Sequence, residues 1–208
     1  MVCVLLGTGF EETEALVPVD LLRRAGIPVT LAGLTGREVT GSHQITVKAD
    51  KLLSEVKPEE IEMVFLPGGS GGVASISACP PALELIRTLY DMGRYVAAIC
   101  AAPTVLAALG LLEGRPAVCY PGMEAQLSGA VVRKGTPVVP DGQIITGEAA
   151  GSAFAFGLKL IEVLKGSTVA DSVKNQVFYH GETYGNKRDK IPYRLCPHSI
   201  RHEIMKMI

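Results

Sequence analysis

The run Arg94-Tyr95-Val96-Ala97-Ala98-Ile99-Cys100-Ala101-Ala102-Pro103-Thr104 decides how this chain is read. Tyr95–Ile99 is apolar and strand-like, it ends at a thiol, and Ala101–Leu112 continues as a helix-forming stretch. Cys100 therefore belongs at a sharp strand-to-helix turn, facing backbone N–H groups and the positive end of a helix dipole. Such a setting favours the thiolate, which is the reactive form of cysteine. A cysteine after an apolar strand is also commonly a small buried hydrophobe. The rest of the chain has to decide between nucleophile and core residue.

Outward from Cys100 the chain alternates strands and helices. Val2–Leu6 reads as a buried strand, Gly7-Thr8-Gly9-Phe10 as a turn, and Glu11–Ala25 as a helix with Ala15, Leu16, Val19, Leu22 and Ala25 at helical spacing. Pro18 fits if the helix starts late, near Glu14, so that its missing N–H falls among the unpaired first-turn donors; an earlier start makes it an interior proline that marks a kink. Gly26 ends the helix as a C′ glycine. Val29–Ala32 is the next strand, Val39–Val47 a hairpin, and Met63–Leu66 a buried strand ending in Pro67-Gly68-Gly69-Ser70-Gly71-Gly72. Pro81–Gly93 is an amphipathic helix. Short strands are expected near Ala117–Cys119, Val131–Arg133, Val138–Val139 and Ile144–Thr146, and helices over Gly151–Leu164 and Ser167–Val177. This alternation implies an α/β fold with a mostly parallel sheet covered on both faces. Ligands of such sheets bind at the carboxyl ends of the strands. Gly7–Glu14, Pro67–Gly72 and Cys100–Pro103 all follow strand ends, so they are expected to converge on one crevice.

The 208 residues suffice for one such domain with a sizeable core. Hydrophobic residues at 48% and charged residues at 20% fit a compact chain rather than a disordered one. A formal net charge of −1 gives no global attraction to nucleic acid or an anionic membrane, and the apolar runs are too short for a membrane span. The first strand lacks the basic leader and cleavage site of a signal peptide. Cys3, Cys79, Cys100, Cys119 and Cys196 form no C-x-x-C pair and no metal-ligand spacing with histidine. No metal site is expected, and reduced thiols in a cytoplasmic compartment are the simplest account. Residues 1–178 make up the expected domain. Residues 179–208 differ: they hold His180, His198, His202, Tyr179, Tyr184 and Tyr193, and are mildly basic. Their charge excess is too small for a nucleic-acid arm, so they are read as an appendage of unassigned role.

A catalytic cysteine needs a proton partner, an oxyanion hole and a dry pocket. Glu14 is the best partner. Glu11 and Glu12 read as ordinary acidic residues at a helix N-terminus, whereas Glu14 adjoins an apolar turn that points it inward. A carboxyl beside a thiolate has its pKa raised by burial and like charge, so it can hold a proton and pass it on. The oxyanion hole is expected from the amides of Gly69 and of Ala101, the residue after the nucleophile. Gly68 and Gly69 let the backbone turn sharply and approach a ligand closely. Gly7-Thr8-Gly9 opens like a dinucleotide fingerprint, but Glu12 occupies the third glycine position, so no nicotinamide cofactor is expected.

Several runs closely resemble the ThiJ/PfpI superfamily, in the same order and at matching separations. They are Phe10-Glu11-Glu12-Thr13-Glu14-Ala15, Pro18-Val19-Asp20, Leu22-Arg23-Arg24-Ala25-Gly26-Ile27, Leu66-Pro67-Gly68-Gly69 and Ala98-Ile99-Cys100-Ala101-Ala102-Pro103. The chain looks most like the branch that holds YajL-like proteins and the Parkinson-disease-associated deglycase, over residues 1–178. The resemblance implies a flavodoxin-like three-layer α/β sandwich, a homodimer and a redox-sensitive cysteine at an elbow. It implies that Cys100 is the nucleophile, Glu14 the protonated carboxyl beside it, and Gly69 with Ala101 the anion-binding amides. Tyr120 stands where relatives often carry a histidine near the cysteine, and His43 where they often carry an arginine near the site. Gly68, Tyr120 and His43 therefore join the expected pocket. Peptidases of the superfamily have histidine directly after the cysteine; Ala101 argues against proteolysis. Ala149-Ala150-Gly151, preceded by Glu148, holds the place of a small loop that reads Gly-Pro-Gly in close relatives.

The function implied is a cofactor-free glyoxalase or deglycase acting on a small reactive carbonyl: methylglyoxal, glyoxal or early glycation adducts. The other reading is an oxidative-stress sensor or redox-regulated chaperone, in which Cys100 is oxidised to sulfinate beside a hydrogen-bonding Glu14. Cys119, at a strand end near the site, is a candidate resolving thiol.

Overall fold

The computed structural model describes residues 1–181. Strand β1 (Val2–Leu6) is apolar and buried at every position, as a strand inside a parallel sheet must be. Helix α1 (Glu12–Arg24) and β2 (Val29–Gly33) follow. β3 (Glu38–Thr40) and β4 (Thr46–Lys48) form the expected hairpin, an antiparallel pair outside the main sheet. β5 (Lys51–Leu52), β6 (Met63–Leu66), α2 (Ser70–Ser77), α3 (Pro80–Asp91), β7 (Tyr95–Ile99) and α4 (Pro103–Ala108) lead to and past Cys100. β8 (Pro116–Ala117) pairs with β9 (Val131–Val132). β10 (Val138–Asp141), β11 (Ile144–Gly147), α5 (Ala153–Lys165) and α6 (Ser167–Gln176) complete the described elements.

Seven strands form the main sheet in the order β10-β11-β7-β6-β1-β2-β5. Its neighbours run parallel except β10 and β11. From β1 the chain moves to β2 on one side and later returns to β6 on the other. α1 makes the first step, while α2 and α3 lead from β6 to β7 in the opposite direction. Right-handed crossovers therefore put them on opposite faces. The packing agrees: α1 contacts α5 and α5 contacts α6, while α2 contacts α3 and α4. This is the three-layer α/β sandwich expected from the sequence. The reversal of direction between β1 and β6 opens a crevice at their carboxyl ends, where ligands of such sheets bind.

One open point is decided and two local expectations are amended. α1 begins at Glu12, as the expected helix over Glu11–Ala25 requires, and the late start near Glu14 is excluded because Glu11 caps the helix: its Oε2 accepts from the Glu14 N–H at 2.6 Å. Pro18 is thus an interior proline with no N–H to offer the Glu14 carbonyl. It lies against α5, where a Cβ on Gly157 would stand 3.0 Å from Pro18 Cα. The expected helix over Ala101–Leu112 contracts to Pro103–Ala108, because Ala101 and Ala102 belong to the turn and Gly110, at φ +71°, ends the segment. Conversely, Ser70–Ser77 is a helix to which the sequence reading assigns no element. Its first turn lies on the β1 loop so closely that a Cβ on Gly72 would stand 2.7 Å from Phe10 Cα; packing overrides the poor helix propensity of glycine.

Of the expected appendage, residues 182–208 lie outside the described residues. Tyr179 stacks on Phe154, with ring centroids 5.2 Å apart. Among the described residues no helix is long and apolar enough to cross a membrane.

Candidate active site

The three loops converge as expected. The Glu11 N–H donates to the Gly68 carbonyl, and the Gly68 N–H donates to Glu14 Oε2, both at 3.0 Å. These two bonds fasten the loop after β6 to the start of α1. β7 delivers Cys100 beside them. Its φ is +66°, a left-handed conformation uncommon outside glycine. Two bonds hold it there. The Cys100 N–H donates to the Gly147 carbonyl at the end of β11 at 2.9 Å, and the Cys100 carbonyl accepts from the Tyr120 N–H at 2.8 Å. Strain of this kind persists only where the surroundings over-determine it, and such sites are frequently functional.

Glu14 is only 1% exposed and Cys100 9%. Burial pushes the Glu14 carboxyl up to about 7; the Cys100 thiol and the Gly68 N–H, which favour the carboxylate, limit the rise, while the Glu11 charge adds to it. The expected raised carboxyl is therefore present. The expected thiolate-favouring setting is not: burial pushes the Cys100 thiol up to about 12, helped by the charge and hydrogen bonding of Glu14, while the Gly69 and Ala101 N–H groups pull the other way. The helix after Cys100 has only six residues, so little dipole develops to oppose desolvation. What remains is a buried pair that holds two protons at low pH and shares one above about 7. Gly69 and Ala101 are the amides that face the sulfur.

Gly68 has no room for a side chain. A Cβ there would overlap Glu14 Oε2 and lie 2.6 Å from Cys100 Cβ. Gly69 has φ +84°, and its Cβ would lie 2.6 Å from the Glu11 nitrogen, so glycine is required for both conformation and space. Gly68→Ala is expected to lower stability by about 1–3 kcal/mol through overpacking and to disturb the Cys100–Glu14 contact. Urea unfolding checks the first effect and the rate of Cys100 alkylation the second; a variant unchanged in both would contradict the geometry.

Residues 1–163 match the DJ-1/PfpI family. The chain belongs to that family. Among its relatives is DJ-1beta of Drosophila melanogaster, 40% identical over 173 residues, which span 82% of this chain and 92% of the relative. The crystal structure of that fly protein superposes with a TM-score of 0.82, at 38% identity over 85% of this chain and 96% of the other. The glutathione-independent glyoxalase DJR-1.2 of Caenorhabditis elegans is 32% identical over 78% of this chain and 87% of its own length. A deglycase of Pyrococcus abyssi is 30% identical over 79% and 99%.

Within this DJ-1/PfpI chain the remaining expected pocket residues stand farther from the sulfur's hydrogen bonds. Tyr120 touches Cys100 through its backbone, and the residue is 49% exposed. His43 is exposed, and its Nδ1 lies 2.8 Å from Glu12 Oε2 and 3.9 Å from Glu11 Oε1; its side-chain bonds run to these groups and Ser42, not to Cys100 or Glu14. Its pKa is raised, first by the hydrogen bond it donates to Glu12 and then by the Glu12 charge.

Glu12 corrects the plain reading of the acidic helix start. It is buried and accepts from the His43 N–H at 2.7 Å and from the Ser42 hydroxyl at 3.2 Å. Burial opposes its ionisation, but bonds from His43, its own N–H and Ile45 hold it down at about 2. Glu12 thus ties the β3–β4 loop to α1. No periodicity signals this; the partners come from a loop some thirty residues away.

Cys119 is buried, and burial, with the Glu124 charge, pushes it up to about 11. That disfavours the thiolate a resolving cysteine needs. Gly68-Gly69-Ser70-Gly71-Gly72 also satisfies the G-x-S-x-G spacing, but Ser70 is exposed, and among the described residues its hydroxyl bonds to no base. The elbow belongs to Cys100.

Proposed function

We propose that this protein is a cysteine-dependent glyoxalase or deglycase acting on methylglyoxal, glyoxal or early glycation adducts. The observation that carries the proposal is the buried Cys100–Glu14 pair, with a carboxyl pushed up to about 7 beside a sulfur faced by two N–H groups. The names of the worm and archaeal relatives support the same chemistry. With one proton on the pair, the Cys100 sulfur adds to the aldehyde carbon and the carbonyl oxygen becomes the hydroxyl of a hemithioacetal. The Gly69 and Ala101 amides stabilise the oxyanion on the way. Glu14, now a carboxylate, removes the proton from that carbon and returns it to the neighbouring carbon through an ene-diolate, while the hydroxyl proton passes from the first oxygen to the second, leaving a thioester beside a hydroxyl. One carbon is oxidised and its neighbour reduced, so no outside oxidant enters. Water then cleaves the thioester to a hydroxy acid and frees the thiol. Residues 1–178 carry this activity in the proposal, in a cytoplasmic homodimer.

The test is lactate formation from methylglyoxal by the reduced protein. Turnover supports the proposal. Its absence, together with sulfinate at Cys100 under low peroxide, would replace it with the sensor reading. The pH profile gives a second check. The fully protonated pair is unreactive, and losing one proton creates the form that reaches the thiolate. kcat/KM is therefore expected to rise about tenfold per pH unit below about 7 and to level off above. A flat or falling profile between pH 5 and 9 would count against the pair.

A further inference from the structure

Glu148 is an acidic residue whose backbone adjoins Cys100 across the sheet and which the mechanism does not use. β11 runs parallel to β7 with Gly147 opposite Ile99, so Glu148 is next in register to Cys100. The Cys100 N–H bond to the Gly147 carbonyl fixes this juxtaposition, and the Glu148 N–H bond to the Pro137 carbonyl at 3.0 Å fixes the Glu148 backbone. The residue is half-buried. Among the described residues its carboxylate forms no ion pair. On the other side of the crevice stand Glu11, Glu12 and Glu14. Their ion pairs, among the described residues, run only to His43, which is committed to Glu11 and Glu12. The segments that meet at Cys100 thus carry more acidic than basic side chains, and the groups that face the sulfur are neutral amides. A cleft lined by one sign of charge raises or lowers the local concentration of charged reactants.

We infer that Glu148 sets the charge selectivity of the site: uncharged or cationic 2-oxoaldehydes and their amine adducts are admitted, and carbonyls bearing a carboxylate or phosphate are turned away. As a statement about substrates this rests on the proposed function; as a statement about the field at Cys100 it does not. Two experiments separate the levels.

The first alkylates Cys100 with iodoacetamide, which is neutral, and with iodoacetate, which is anionic. In each case a C–S bond forms and iodide leaves. Labelling at Cys100 is read by peptide mass spectrometry, with free cysteine as the reference. The wild-type preference for iodoacetamide is expected to exceed that of free cysteine about tenfold. Glu148→Gln is expected to speed iodoacetate about fivefold and to change iodoacetamide less than twofold, the size of one partly screened charge at several ångströms. Equal changes with both reagents, or none with either, would overturn the inference.

The second compares kcat/KM for phenylglyoxal and 4-carboxyphenylglyoxal. The wild type is expected to favour the neutral compound about tenfold, and Glu148→Gln to narrow the gap about fivefold, chiefly by improving the anionic substrate. An unchanged gap would overturn the inference for substrates. If neither compound is turned over while the alkylation ratio moves as expected, the charge selection holds and the glyoxalase reading falls.

Discussion

Replacing Cys100 with serine is expected to lower lactate formation from methylglyoxal at least about a thousandfold, because the hydroxyl is a far weaker nucleophile at neutral pH than a thiol and no base strong enough to activate it adjoins. The pair offers only Glu14, whose carboxyl titrates at about 7. Stability should change little, since the backbone bonds to Gly147 and Tyr120 remain. Cys100→Gly sharpens the argument. It removes the same nucleophile, and it also removes the cost of holding a side chain at φ +66°. The glycine variant is expected to be equally inactive and about 1 kcal/mol more stable than the serine variant in urea unfolding. Equal stability of the two would mean that the left-handed turn stores no strain. Retained turnover in either would remove Cys100 from the mechanism.

Glu14→Gln is expected to reduce turnover about a hundredfold or more while raising stability at neutral and alkaline pH. The sign follows from linkage. Burial raises the folded-state pKa from 4.5 to about 7. Between those values the native state keeps a proton that the unfolded chain has released, so stability falls as pH rises through this window. Above about 7 the buried carboxylate costs on the order of 3 kcal/mol. Glutamine keeps an acceptor for the Gly68 N–H and carries no charge. The difference between variant and wild type should be near zero at pH 4 and reach about 1–3 kcal/mol at pH 8, read by urea unfolding at both values. No pH-dependent difference would show that Glu14 is not held neutral by burial. Glu12, two residues earlier, has the opposite sign. Its folded pKa is depressed to about 2, so its contribution grows as pH rises from about 2 to 4.5 and is complete above. One turn of one helix therefore holds two glutamates with opposed pH dependence, because one meets enough donors to outweigh its burial and the other does not.

The layered fold and the meeting of the three loops could be read from the chain. Apolar runs such as Val2–Leu6 and Met63–Leu66, each leading into a glycine-containing turn, leave few arrangements besides a parallel sheet with loops at its carboxyl edge. The meeting of Cys100, Glu14, Gly68, Gly69 and Ala101 was legible for the same reason: their places follow from position relative to strand ends. Departures cluster where a residue's partner is distant in sequence. Ser70–Ser77 is helical because its glycines fit against Gly9 and Phe10. His43 serves Glu12 instead of the sulfur, and Glu12 is a buried anchor instead of a surface charge.

The sequence by itself thus determined the order of elements, the sheet and the identity of the central pair, because periodicity and turn chemistry are local properties of the chain. Only the tertiary structure decided the protonation of that pair. The same buried turn that aims two amides at Cys100 also withdraws it from water and sets it against Glu14. The magnitude of desolvation depends on what packs around both groups, which no local pattern records.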